Sequence, residues 1–147
     1  MKNHNKIIIG LMLIILVHLS SCKKTSSSNT SDMTVRYEVS WNNALATGFA
    51  SPINQLSYLN STGNTQFDTL SGTSYSKSVL ISNTANIKVI LAQALVVMQQ
   101  PGTGEIKIFI NDVLQADQIV SSTAIPSPAS NGSTDYLLTL IVHWDVK

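Results

Sequence analysis

From Met33 onward the chain alternates between apolar and polar residues. Val35, Tyr37, Val39 and Trp41 fall on one side of an extended backbone and Thr34, Arg36, Glu38 and Ser40 on the other, the period of two that marks a half-buried strand. Ile53 to Asn60 is the next run. It closes at Ser61-Thr62-Gly63-Asn64 and returns as Thr65 to Leu70, with Gly63 or Asn64 taking the positive φ of a hairpin turn. Tyr75 to Ser82 sets Tyr75, Val79 and Ile81 against Ser76, Ser78 and Ser82, and only Lys77 and Leu80 break the pattern. Beyond the breaker Pro101-Gly102-Thr103-Gly104, Ile106, Ile108 and Ile110 mark a strand over Glu105 to Ile110, and Asn111-Asp112 is a two-residue turn into Val113 to Val120. Ser121 to Thr134, with Pro126, Pro128 and Gly132, reads as a long polar loop. The final strand, Asp135 to Val146, lines up Leu138, Leu140, Val142, Trp144 and Val146. Its other face starts apolar at Leu137 and Ile141 and ends polar at His143 and Asp145, as expected of a central strand whose far end reaches solvent.

Ile87 to Gln100 supports two readings. Ile87, Ile90, Leu91, Ala94, Leu95 and Met98 fall at helical spacing, and Ala, Leu, Gln and Met favour helix. The β-branched Ile87, Val89, Ile90, Val96 and Val97 favour strand. Strand signals on both sides, and the Pro-Gly turn that follows, tip the reading to strand. Seven to eight short strands with regularly spaced turns predict an all-β fold, an antiparallel β-sandwich of immunoglobulin-like or transthyretin-like kind. The expected domain spans residues 33 to 147.

Another apolar run lies outside that pattern. Ile7 to Leu19 follows the basic Met1-Lys2-Asn3-His4-Asn5-Lys6 and is too short to cross a bilayer core of roughly 30 Å as a helix, which is how a secretion signal is built. The only cysteine of the chain, Cys22, comes next, in Leu19-Ser20-Ser21-Cys22. That tetrapeptide resembles the bacterial lipobox, which implies cleavage after residue 21, lipidation of Cys22 by acyl groups such as palmitate, and stable anchoring, since multiple acyl chains at about 0.8 kcal/mol per buried methylene exceed what anchoring needs. A lone thiol in a secreted chain is otherwise anomalous. Residues 22 to 32, from Cys22-Lys23-Lys24 to Ser31-Asp32, are polar and Ser/Thr-rich and read as a flexible tether. By the sorting logic the resemblance brings with it, Lys23 in place of Asp directs the protein to the outer membrane, with the periplasmic face expected. The composition changes accordingly: +1 for the whole chain becomes −1 from Cys22 onward, with seven basic and eight acidic residues. Neither a basic nucleic-acid surface nor an acidic tail is present.

Thr34-Val35-Arg36-Tyr37-Glu38-Val39-Ser40, then Leu56-Ser57-Tyr58-Leu59-Asn60, a Gly turn, the Tyr75 to Ile81 strand, the apolar Ile87 to Met98 run and Glu105-Ile106-Lys107-Ile108-Phe109-Ile110-Asn111-Asp112 follow in an order that resembles the MmpS family over most of Met33 to Val120. The resemblance implies a small membrane-anchored β-sandwich that accompanies lipid-exporting pumps of the MmpL type. The chain departs from that family in its lipid rather than helical anchor, in having no cysteine pair, and in the segment after Ser121.

Candidate chemistry is sparse. His143 and Asp145 share one face of the last strand, but the chain from Cys22 onward has one His, too few for a zinc set, and no G-x-S-x-G elbow. Asp112, Asp117 and Asp135 lack a calcium-loop spacing and read as turn-forming residues. Gly102 and Gly104 precede a strand rather than a helix and form no phosphate cradle. Asp68-Thr69-Leu70 resembles the acceptor of some bacterial O-glycosylation systems, making Thr69 a candidate site. Trp41 and Trp144 close apolar strand faces, in the core or as stacking platforms for a sugar or lipid. No catalytic residue, metal ligand or cofactor is expected. The reading is a non-enzymatic binding or accessory module for an envelope complex, with an envelope protein, a transporter, a glycan or a lipid as candidate partner. The alternatives are a structural or adhesive surface subunit and an envelope enzyme acting on glycans or peptides, for which a cleft holding two carboxylates is the signature.

Overall fold

The computed structural model describes residues 32–49, 53–82, 86–127 and 133–146. The signal segment, Cys22 and nearly all of the tether lie outside the described residues. Among the described residues nine strands form two sheets: β1 (Met33–Trp41), β2 (Gln55–Leu59), β3 (Thr65–Thr69), β4 (Ser74–Ile81), β5 (Val89–Met98), β6 (Thr103–Ile110), β7 (Val113–Ser121), β8 (Thr123–Pro126) and β9 (Thr134–Asp145). One sheet runs β4-β1-β6-β7 and the other β3-β2-β5-β9-β8. Every pairing is antiparallel. The fold is a β-sandwich, and the chain crosses repeatedly between its layers.

The alternation read from the sequence maps onto inside and outside. Val35, Tyr37, Val39 and Trp41 of β1 and Ile106, Ile108 and Ile110 of β6 face Leu56 and Tyr58 of β2, Ile90, Ala92, Ala94, Val96 and Met98 of β5, and Leu138 and Leu140 of β9, all buried. β5 is therefore a strand and not a helix. It is the middle strand of the five, hydrogen-bonded to β2 and β9, and from Ile90 to Met98 every second residue is buried, with Val97 buried as well at its far end. The alanines that raised its helical propensity have a packing use: Ala92 lies opposite Tyr58 in register, leaving room for the Tyr58 ring to meet Tyr37 from the facing sheet at 5.2 Å between centroids. Packing overrides propensity here.

Asn111 and Asp112, with φ of 49° and 64°, close the β6–β7 hairpin as a two-residue turn in left-handed backbone, which short polar side chains tolerate. A bulge follows, because Ile108 pairs with Ala116 while Phe109 pairs with Leu114. The extra residue, Gln115, breaks the alternation, and Val113 and Leu114, between it and the turn, are both exposed.

The expected loop from Ser121 to Thr134 is a correction. Ser121 ends β7, Thr123–Pro126 is an eighth strand on the edge of β9, and Thr134 begins β9, which raises the count from seven or eight to nine. The chain leaves one sheet at Ser121 and joins the other at Thr123. Ser122 ties the crossing, its N–H donating to the Gly102 carbonyl at 2.8 Å and its Oγ accepting from the Gly102 N–H at 2.9 Å. Where β7 and β9 diverge, the Gln118 side chain accepts from the Ile141 N–H at 2.8 Å, satisfying a backbone donor that no strand reaches.

Gly104 stands opposite Trp41 in the ladder. A Cβ there would lie 2.6 Å from Leu138 Cδ1, 3.2 Å from Leu140 Cδ1 and 3.2 Å from the Ser40 carbonyl oxygen. Gly104→Val is expected to cost about 1–3 kcal/mol through overpacking, read as a lower midpoint in urea denaturation at unchanged slope. An unaltered midpoint would mean that the sheets can part at this end.

Candidate functional site

The densest polar cluster sits between the layers, where edge strand β3 faces edge strand β4. Asp68 turns inward from β3. Its Oδ2 accepts from the Tyr75 hydroxyl at 2.5 Å and from the Tyr58 hydroxyl at 2.9 Å, and Lys77 Nζ stands 3.6 Å away. Gln66 Nε2 reaches Oδ1 at 3.4 Å. Burial alone raises the Asp68 carboxyl, but the hydroxyls of Tyr75 and Tyr58, the Lys77 ammonium and the Gln66 amide together outweigh it and hold the group below its ordinary value. Tyr75 is pushed up to about 12, first by burial and then by its bond to Asp68; Tyr58 rises for the same reasons. Beside them Tyr37 rises through burial, and its hydroxyl donates to the Leu59 carbonyl at 3.1 Å. The cluster closes the open side of the sandwich with matched charges and satisfied hydroxyls, a latch between the sheets. Its sequence signal was Lys77, a cation in the inward phase of an amphipathic strand. No local pattern marks Asp68 as its partner.

Asp68 is also the first residue of the candidate glycosylation tripeptide. Thr69 points outward and is exposed, while Leu70 is buried and donates its N–H to the Asn54 carbonyl at 2.7 Å. The Thr69 hydroxyl is thus presented on an edge strand between two anchored neighbours.

On the outer face of the four-stranded sheet, a shallow cleft of about 320 Å³ lies among Glu38, Ser40, Ser74, Ser76, Glu105 and Lys107. It holds two carboxylates, each with a cation two residues along its own strand: Glu38 with Arg36, and Glu105 with Lys107 at 2.7 Å. On the outer face of the five-stranded sheet, Gln55, Ser57, Phe67, Gln93 and Leu95 line a depression of about 210 Å³. Register explains it: Ser57 pairs with both Phe67 and Gln93, and Gln93 with Ile141, so the small Ser57 leaves a gap beside Phe67, 62% exposed, and Gln93 separates that gap from Ile141, 46% exposed.

His143 and Asp145 share the outward face of β9, beside Leu91 and Val89. Asp112 falls on a turn, whereas Asp117 and Asp135 do not form turns: they lie within β7 and β9, Asp135 buried; among the described residues no three metal-ligating side chains gather. Gly102 and Gly104 open β6. Trp41 is buried in the core with its Nε1 unpartnered, and Trp144 is partly buried against the same core. No protein-family profile, curated protein or solved structure matches the chain.

Proposed function

We propose that the chain is a bacterial lipoprotein, anchored through Cys22 at the periplasmic face of the outer membrane, whose β-sandwich is a non-enzymatic binding or accessory module for an envelope complex. The single observation behind the binding role is the outer face of the five-stranded sheet. Phe67, Leu95 and Ile141 stand there among Ser57, Gln55, Gln93 and Thr139, an apolar-and-amide mixture without a formal charge, as interface centres have. The anchor rests on the succession of basic segment, apolar run and Leu19-Ser20-Ser21-Cys22. A lipid-exporting transporter is the partner that the MmpS resemblance suggests. A second reading, a structural or adhesive surface subunit, draws on β3, a short edge strand open to strand addition. The Glu38 and Glu105 carboxylates are the feature that an envelope enzyme would use.

Cys22→Ala is expected to abolish incorporation of a labelled fatty acid and to shift the protein from the membrane to the soluble fraction. Unchanged labelling would remove the anchor. For the binding role, a photo-crosslinking residue at position 67 is expected to give one adduct of defined mass in intact cells, and the same residue at Ser78, on the opposite sheet, none. Adducts at both positions would argue against a dedicated face. Protease shaving of intact cells separates the readings of location, cutting a surface subunit and sparing a periplasmic one.

A further inference from the structure

The chain enters the sandwich at the end where most of the exposed aliphatic side chains stand, beside the polar β2–β3 turn from Asn60 to Asn64. Met33 begins β1 opposite Ile81. The next residue, Thr34, donates its N–H to Asn111 Oδ1 at 3.0 Å, and its carbonyl accepts from the Asn111 N–H at 2.9 Å. The β6–β7 turn is thereby fastened beside the point where the segment from Cys22 arrives. β4 leaves its sheet at Ile81 and the chain enters the other at Val89, so the first residues of β5 lie at this end too. Eight large apolar side chains are exposed among the described residues, and five of them gather here: Val113, Leu114, Leu80, Val89 and Leu91. Leu80 lies across from Thr34 and Leu114 across from Phe109 on the outer face of one sheet, and Val89 and Leu91 project from the outer face of the other. They form a rim around the end rather than a groove. The opposite end carries Asn42, Asn43, Pro101 and Ser122, with Ile119 the nearest exposed apolar side chain.

We infer that this rim rests in the interface of the bilayer to which the chain is tethered, so that the sandwich stands end-on upon the membrane. The inference rests on the reading of Cys22 as the lipid anchor. Ten residues lie between Cys22 and Met33, a span of at most about 40 Å, so this is the end kept nearest the lipid. At such an effective concentration a small apolar contact suffices without strong intrinsic affinity. Charge at this end is mixed rather than basic: Arg36 is held by Glu38 and lies 3.5 Å from Asp112, and the exposed Lys88 and Asp145 flank Val89 with opposite signs, so the apolar side chains carry the contact. Apolar side chains beside polar turn residues match the headgroup–acyl boundary. Standing on this end turns both sheet faces, including the Phe67 depression, sideways to partners in the periplasm.

The test uses the full chain bearing Leu114→Trp, Leu80→Trp or Ile119→Trp, extracted from membranes and reconstituted into vesicles of phosphatidylethanolamine and phosphatidylglycerol with phospholipid brominated near the top of its acyl chains. Position 119 lies four ladder steps beyond position 114, about 13 Å farther along the strand. Relative to the parent chain, the emission added at positions 114 and 80 is expected to be lost to bromine quenching, and that at position 119 to be retained. Chain that sediments with the vesicles yet shows equal quenching at all three positions, or none at 114 and 80, overturns the inference and leaves the anchor standing. Chain that stays in the supernatant overturns both.

Discussion

Leu140→Ala is expected to lower the unfolding free energy by about 3 kcal/mol, while Ile141→Ala, one residue on, changes it by less than about 0.5 kcal/mol. Both residues are large aliphatics on β9, and only the pleat separates them. Leu140 is fully buried opposite Ala94 and faces Gly104, so truncation leaves a void that the rigid ladders on either side cannot close. Ile141, 46% exposed, stands on the outer face over Gln93. Urea denaturation of the two variants, compared by midpoint at constant slope, measures the contrast. A large loss at Ile141 would show that the outer face is covered in the native state, pointing to self-association through the same surface proposed here for a partner.

Asp68→Asn is expected to cost about 1–2 kcal/mol at neutral pH, the difference between hydrogen bonds to a charged and to a neutral acceptor, and to flatten the acid limb of the stability profile. The sign follows from linkage. Asp68 is held below its ordinary value in the fold, so its contribution is complete above the unfolded carboxyl pKa of about 3.9. It disappears as pH falls below that value through the folded pKa. The alkaline side runs in the opposite sense. Tyr75 is raised to about 12, so its contribution is complete below the unfolded value of about 10 and is lost as pH climbs toward the folded one. Melting temperatures across pH for the parent, Asp68→Asn and Tyr75→Phe separate the two limbs. An acid limb unchanged in Asp68→Asn would mean that the latch carries no charge-dependent stability.

Much of this architecture was legible because strand periodicity is local. The inward faces of β1, β6 and β9, the Asn111-Asp112 turn and Gly63, with its φ of 78°, follow from residue type and spacing alone. β5 was ambiguous, since its apolar positions satisfy both periods, and sheet pairing on both flanks resolves it. β8 was not legible. Thr123-Ala124-Ile125-Pro126 is too short to carry a pattern and ends in a proline, and it is a strand because the edge of β9 offers unpaired backbone groups; Pro126, at its end, sits where proline is tolerated. The latch shows the same division. Lys77 announced itself by breaking its strand's alternation, whereas its pairing with Asp68 depends on β3 and β4 becoming edges of facing sheets.

By itself, then, the sequence determined the strand class, which residues turn inward, the tight turns, and an N-terminal succession that reads as a lipid anchor. The tertiary structure alone decided strand order, the crossing at Ser122, the Tyr58-Asp68-Tyr75-Lys77 latch and the collection of exposed aliphatics at the end where the chain enters. The physical reason is that side-chain alternation is written residue by residue, whereas strands are joined by backbone N–H and C=O groups that are alike at nearly every position. Which strands meet, and which distant side chains are thereby brought together, emerges only when the whole core is packed.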